Sequence, residues 1–307
     1  MMRSSFRRRR YRAIFSGFAM SIAVSRLYIY PIKSCAGIRL ESSAIGVAGL
    51  QHDRQWMIVA DAGGFMTQRA YPGMALIRTA IDADALLLDA PGMRTLRVPL
   101  AVPRGEPRQV AVFSQTLDAQ DDSAEAAAWC TAFLQVPCTL VRVHPEAQRL
   151  ADPARVRAWI DNHEDDAAGM PEANAFGFAD GFPLLVTNEA SLDDLNRRLR
   201  AAGHAAVDMD RFRPNIVVSG LDAFDEDNIA LLRVGDDIRL GFVKPCARCG
   251  IPNVDPRDAS VHTEPGITLA AYRQQEGGVI FGENGIVDAP PGAVLRVGDA
   301  IDVVYDF

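Results

Sequence analysis

Apolar residues in the first third of the chain come in short blocks without a helical period. RLYIY from Arg26, WMIVA from Trp56, ALIRTAI from Ala75 and ALLLD from Ala85 are each of strand length, and Gly, Pro and Asp turns separate them. From Val24 to about Val112 this pattern predicts a small antiparallel barrel or sandwich. A helix is predicted next: Asp122 or Ser123 supplies the cap, an Ala-rich run reaches about Leu134, and the strand CTLVRV follows.

The segment from Asp161 to Asp180, DNHEDDAAGMPEANAFGFAD, is acidic with little periodicity and predicts a linker or mobile loop. Beyond it, PLLVT reads as a buried strand leading into a helix capped by Asn188, with Leu192, Leu195 and Leu199 on one face and Gly203 as terminator. PNIVVSG, the run from Ile229 to Val234, IRLGFV, the run from Ala293 to Val297, and IDVVY add short strands, with one short helix around Leu269 to Gln275. Scattered strands with few helices between them predict a mainly β (α+β) fold of two β-barrel-like domains, 23–145 and 146–307, not a doubly wound parallel sheet.

Of 307 residues, 49% are hydrophobic, enough for a substantial core. The formal charge of -7 gives no general pull toward nucleic acid or anionic lipid, so a bound anion must be held by a few locally placed cations. Five cysteines do not make a disulfide framework, which favours a reducing compartment and a cytoplasmic protein. Residues 1–22 form a basic extension whose apolar end is too short to span a bilayer. It reads as an upstream start, with Met20 the true initiator, or as an organellar or export signal.

The segment KPCARCGIPNVDP, from Lys244 to Pro256, follows a strand and reads as a rigid loop holding two thiols. Its Cys-x-x-Cys admits a structural zinc half-site, a thiol–disulfide couple, or one metal-binding or reactive thiolate beside a bystander. Zinc needs two more ligands, yet the histidines at 52, 144, 163, 204 and 262 are scattered singly. A thioredoxin-type couple belongs where a strand enters a helix, and Pro252 and Pro256 oppose a helix there. The third reading suits a soft centre such as a molybdenum dithiolene, with Arg248 as the charge that favours a thiolate.

Three other strand boundaries carry polar groups. YPIKSCAG presents Lys33 and Ser34 at a turn, HDRQWMIVA places Arg54 before a strand, and RFRPNIVVSG does the same with Arg211, Arg213 and Asn215. Each alone reads as surface charge, but their recurrence beside turns in an acidic chain suggests forks for a phosphate. His163 among Asp161, Glu164, Asp165 and Asp166 reads as a solvated acidic loop, and Trp56, Trp129 and Trp159 as packing residues.

Taken in order from Val24 to Phe307, YPIKSCAG, DRQWM, FADGFPLLVTNEASLDDLNRRL, RFRPNIVVSG and KPCARC resemble the MOSC-domain superfamily with its N-terminal β-barrel partner, in particular the mitochondrial amidoxime-reducing components and their bacterial relatives. The resemblance implies a molybdenum cofactor (Mo-molybdopterin) whose metal is ligated by Cys249, the catalytic centre, with Cys246 structural. It places Lys33, Ser34, Arg213 and Asn215 at the pterin's phosphate and adjoining groups, and Arg54 against the pterin. Asp180, Gly181 and Phe182 match a cofactor-contacting turn, and Ala247 and Arg248 line the cofactor. Ala247 stands where relatives often carry serine, so one hydroxyl contact is missing, and Phe182 stands where some carry a small polar residue, which leaves backbone contacts there. The implied activity is reduction of N-hydroxylated small molecules to amines or amidines. A separate electron-transfer protein is expected as donor, because no ferredoxin-like domain follows the last strand before Phe307. The alternative within the superfamily is a molybdenum-cofactor carrier or sulfur-transfer protein holding a persulfide on Cys249. Neither a stable nucleic-acid partner nor a transmembrane segment is expected.

Overall fold

The computed structural model describes residues 21–61, 63–101 and 107–306, and all but the last two residues of the expected N-terminal extension lie outside them. Nine strands share one sheet. Its order is Ile301–Tyr305, Ile229–Val234, Ile238–Ala247, Gly278–Asp288, Leu184–Asn188, Ile216–Ser219, Ala23–Ile29 and Ile38–Leu40, with Gln274–Gln275 added against Gly278–Asp288. A four-stranded sheet runs Trp56–Ala60, Cys138–Val143, Gln115–Asp121, Arg108–Val112, and two three-stranded sheets complete the β structure. Among the described residues there are four α-helices, α1 (Ala124–Leu134), α2 (Pro153–Asn162), α3 (Glu189–Ala201) and α4 (Gly266–Arg273), and none is long and apolar enough to cross a membrane. The fold is mainly β, as expected.

Alternation explains how the large sheet buries both faces. Along Ala23–Ile29, Leu27 and Ile29 enter one apolar cluster with Ile216, Val218, Leu184 and Val186, while Tyr28 enters another with Val217 and the leucines of α3. α3 begins where Asn188 accepts a hydrogen bond from the Ala190 amide at 3.1 Å, and it buries Leu192, Leu195 and Leu199. Each of these leucines contributes on the order of 2 kcal/mol by leaving water. α1 is capped by Ser123, which accepts from the Ala126 amide at 3.1 Å.

Strand direction gathers the loops. Leu184–Asn188 and Ile216–Ser219 are parallel, so both start at one edge of the sheet; Ala23–Ile29 is antiparallel to the second and ends there. Residues 180–182, 213–215 and 30–34 are therefore neighbours, although the last belongs to the N-terminal third of the chain.

Two expectations need correction, and one strand was not foreseen. The stretch from Asp161 to Asp180 is not a linker: it has little regular structure, yet Ala167, Met170, Phe176 and Phe178 are buried in the apolar clusters that flank it, and α2 precedes it unannounced. The segment starting at Lys244 is not all loop, because the strand continues to Ala247 through register shifts after Phe242 and after Pro245. The longest strand, Gly278–Asp288, carries no clean alternation because Gly282, Glu283, Asn284 and Gly285 interrupt it. Gly282 sits at φ +80°, where a Cβ would lie 2.6 Å from the Val186 carbonyl oxygen, so a side chain is excluded by conformation and by space.

Glu283 is buried, and its Oε1 has no hydrogen-bond partner among the described residues. Burial, reinforced by Asp227 and Glu226 and opposed by Arg273, pushes its carboxyl up to about 9. The folded chain then keeps a proton that the unfolded chain releases above the ordinary value of 4.5, so this group's stabilisation is complete below that pH and is lost as pH rises toward 9. Urea unfolding at pH 5, 7 and 9 checks this: Glu283→Gln gains stability over the native chain as pH rises, and a constant difference would refute it. In the same assay Gly282→Ala lowers unfolding free energy by about 2 kcal/mol or more, while Gly73→Ala, with open space around its Cβ, stays near neutral.

Candidate active site

One cavity is lined by Lys33, Ser34, Arg54, Asp180, Gly181, Phe182, Arg213, Asn215, Ala247, Arg248 and Cys249, which brings together the residues that the family resemblance placed at the cofactor. Phe65, Thr67, Arg69 and Phe113 of the N-terminal domain also line it, together with Cys246, Phe212 and Asn284. The lining holds five cations, Lys33, Arg54, Arg69, Arg213 and Arg248, against one carboxylate, Asp180, in a chain whose overall charge is -7. That local excess is what an anionic ligand requires.

The floor is built around Tyr30. Its ring is buried, with the Arg54 guanidinium 4.4 Å and the Arg213 guanidinium 4.2 Å from its centroid. Asp53, also buried, accepts from both the Tyr30 amide at 2.8 Å and the Arg54 guanidinium at 2.6 and 2.7 Å. Arg54 in turn donates to the Arg213 carbonyl at 3.0 Å, and Arg213 donates to the Cys35 carbonyl at 2.5 Å. Burial, and after it the adjacent Arg54 charge, pull Arg213 down to about 10.

The backbone is strained at the same place. Of the eight non-glycine residues with positive φ among the described residues, Ser34, Arg54, Phe113 and Arg213 all line this cavity. Such conformations persist only where surrounding contacts impose them, and they collect at functional sites.

Lys33 is almost fully buried; it donates to the Phe178 carbonyl at 2.8 Å and pairs with Asp180. Burial lowers its basicity, outweighing Asp180. Partial desolvation at the cavity wall acts the other way on Asp180, whose side chain stays largely exposed, but Lys33, with Arg54 and Arg248, keeps that carboxyl below its usual range. The turn carrying Asp180 is held by Arg149, which donates to the carbonyls of Gly177 at 3.0 Å, Ala179 at 2.5 Å and Asp180 at 3.0 Å and lies over Phe176. Gly177 permits this packing, since a Cβ there would lie 2.4 Å from the Arg54 carbonyl oxygen. Arg149 was missed because it follows a strand in a polar stretch with no motif around it. Asn215 lines the cavity, but its side chain already bridges the Leu185 amide and the Tyr28 carbonyl. Arg211, grouped with Arg213 by sequence, points elsewhere and pairs with buried Asp255 at 2.6 Å, fastening the loop that follows Cys249.

Cys249 is exposed and Cys246 half-buried, whereas Cys35, Cys130 and Cys138 are buried and their thiols pushed up by burial, Cys35 to about 12. Arg248 does not serve Cys249 as expected: its Nη1 donates to the Cys246 sulfur at 3.0 Å and its Nη2 to the Phe212 carbonyl at 2.7 Å. Its buried Nε has no partner among the described residues. An exposed thiol, a surplus of guanidinium donors and an orphaned N–H fit a ligand that combines a thiolate-seeking metal with an anionic group. Among the described residues, no cluster of three or more His, Cys, Asp or Glu side chains suits a metal held by protein ligands alone. His163 instead bonds the Trp159 carbonyl at 2.7 Å. A second depression, lined by Asp165, Asp166, Asp236, Asp237 and Asp288, has its two arginines already paired, Arg233 with Asp166 and Arg239 with Asp288.

A mainly β protein with a cationic, thiol-bearing cavity lined by both of its parts is the class that fold and site define. Residues 21–137 match the MOSC N-terminal beta barrel domain and residues 173–302 the MOSC domain, and the chain belongs to the MOSC family. It is 33% identical over 294 residues to mitochondrial amidoxime-reducing component 1 of Homo sapiens, covering 91% of this chain and 82% of that protein. The Mus musculus protein of the same name is 32% identical over 293 residues, covering 91% and 81%. Molybdenum cofactor sulfurase of Oryza sativa subsp. japonica is 31% identical over 272 residues, which is 85% of this chain but 32% of that protein.

The Tyr30 hydroxyl has no hydrogen-bond partner among the described residues, so the ring is the part that matters. Tyr30→Phe leaves unfolding free energy within about 1 kcal/mol of the native chain, whereas Tyr30→Leu, which removes the surface between the two guanidiniums, costs about 2 kcal/mol or more. Equal losses in a denaturant titration would contradict the stacked floor.

Proposed function

We propose that this chain binds a molybdenum cofactor of the Mo-molybdopterin type and reduces N-hydroxylated small molecules to amines or amidines. The observation that carries the reading is the cavity in which five cations and one carboxylate surround the exposed Cys249 thiol. In this reading Cys249 is the metal ligand, while Lys33, Ser34 and Arg213 hold the phosphate end and Arg54 lies along the pterin. Asp180, Gly181 and Phe182 contact it from their turn, the latter two through backbone groups; Arg248 offers its free Nε–H, Ala247 its backbone, and Asn215 holds the strands beneath. When bound, the metal centre supplies the two-electron change by which N-bound oxygen leaves as water. The protein's share is a preorganised set of donors that need no rearrangement when the anion arrives.

Electrons come from a separate electron-transfer protein. All five cysteines are free, which fits a reducing compartment such as the cytoplasm; the mitochondrial names of the relatives favour an organelle as the alternative. A carrier or sulfur-transfer role, with a persulfide on Cys249, has its own support in the alignment to the plant sulfurases.

Turnover of benzamidoxime with an artificial electron donor separates these readings. The cofactor-loaded protein releases benzamidine; Cys249→Ala loses at least about a hundredfold in rate, and Cys246→Ala stays within about tenfold of the native rate. The reverse pattern would mean that Cys246 is the ligand, and a loaded native protein without turnover would favour the carrier.

A further inference from the structure

We propose that Phe65 and Phe113, both supplied by the N-terminal domain, form a platform for an aromatic ring of the substrate, so that the cavity selects aromatic over aliphatic N-hydroxylated compounds. This rests on the reductase reading above and adds a substrate class to it.

Phe113 is where folding alone would not put a phenylalanine. Arg108–Val112 and Gln115–Asp121 form a hairpin in which Val112 pairs with Gln115, leaving Phe113 and Ser114 as its two-residue tip. Phe113 has φ +55°, a conformation that hairpin tips normally assign to Asn or Gly. Its side chain contributes little to the core either, being 52% exposed. An exposed aromatic in strained backbone serves something other than the packing of its own domain.

What surrounds the ring shows which direction it serves. Phe113 meets Phe65 edge to face, with centroids 5.1 Å apart and planes at 68°. The Lys33 ammonium lies 5.4 Å from both centroids, so the aromatic pair is tied to the same Lys33–Asp180 unit that shapes the cavity. Both rings line that cavity together with Cys249. An edge-to-face pair with one ring half open leaves aromatic surface on which a third ring stacks offset or edge-on. A flat ring could come from the pterin or from the substrate. Of the groups read as holding the anion, Arg54 and Arg213 are packed at the floor against Tyr30, and Lys33, though 5.4 Å from both rings, already gives its ammonium to Asp180 and the Phe178 carbonyl. Phe113 is left open to solvent, and the platform is therefore assigned to the substrate, with pterin content in the alanine variants as the check against the cofactor.

The test uses the cofactor-loaded protein and compares kcat/KM for benzamidoxime and acetamidoxime in the native chain, Phe113→Ala, Phe65→Ala and Phe113→Tyr, with pterin per chain measured for each. The expected result is a fall of about tenfold in the benzamidoxime-to-acetamidoxime ratio for either alanine variant, carried mainly by KM, with native pterin content and a native-like ratio in Phe113→Tyr. An unchanged ratio overturns the proposal, because the rings then serve folding or a protein partner; loss of pterin also overturns it, because the rings then hold the cofactor. If no amidoxime is turned over even by the loaded native protein, the reductase reading fails. The platform is then judged by calorimetric binding of benzamidine against acetamidine, where equal affinities in the native chain and in the conservative variant Phe113→Leu refute it.

Discussion

Two arginines stacked on one buried tyrosine are the constraint around which the rest of the cavity is arranged. Arg54 and Arg213 lie within 4.4 Å and 4.2 Å of the Tyr30 centroid, and among the described residues only one carboxylate, Asp53, directly bonds either guanidinium. Placing like charges this close, largely out of water, is unfavourable unless a ligand supplies the missing negative charge. The fold tolerates it because three backbone segments are fixed independently: Tyr30 ends a strand of the large sheet, Arg54 precedes a strand of the N-terminal domain, and Arg213 precedes a strand parallel to Leu184–Asn188. Positive φ at Ser34, Arg54 and Arg213 shows that the turns bend to fit the site.

The same logic accounts for Lys33, Asp180 and Arg149. Asp180 keeps 68% of its side-chain surface exposed while paired with a lysine that is nearly buried, so the pair holds the turn at the cavity's edge without filling the cavity. Arg149 secures that turn from behind through three carbonyls. Residues that would contact a ligand are thus held by residues that would not, which is how a site keeps its geometry before the ligand arrives.

Much of this was legible in the sequence, for identifiable reasons. Strand-length apolar blocks and two capped helices follow from local chemistry, and Ser123 and Asn188 do cap them. Lys33, Ser34, Arg54, Arg213 and Asn215 were visible because turn residues and basic residues recur at strand ends, and Cys249 because of its Cys-x-x-Cys, whereas Asp180, Gly181, Phe182 and Ala247 came only from the family resemblance. Long-range partners were not visible: nothing local marks Arg149, the turning of Arg248 toward Cys246, or the pairing of Arg211 with Asp255. The central strand Gly278–Asp288 was hidden because close backbone approach demands glycine at 282, which erases the alternation that identifies strands. The acidic stretch before Asp180 misled for the opposite reason, its few buried aromatics outweighing a polar composition.

Whether this cavity holds an anionic molybdenum–pterin ligand, as proposed, is read from molybdenum and pterin per chain after expression in a host that makes the cofactor. About one of each is expected per native chain, and a folded Arg54→Met, Arg213→Met double variant loses most of both. A native chain that folds and purifies without molybdenum or pterin, or a double variant that retains both in full, would contradict the proposal.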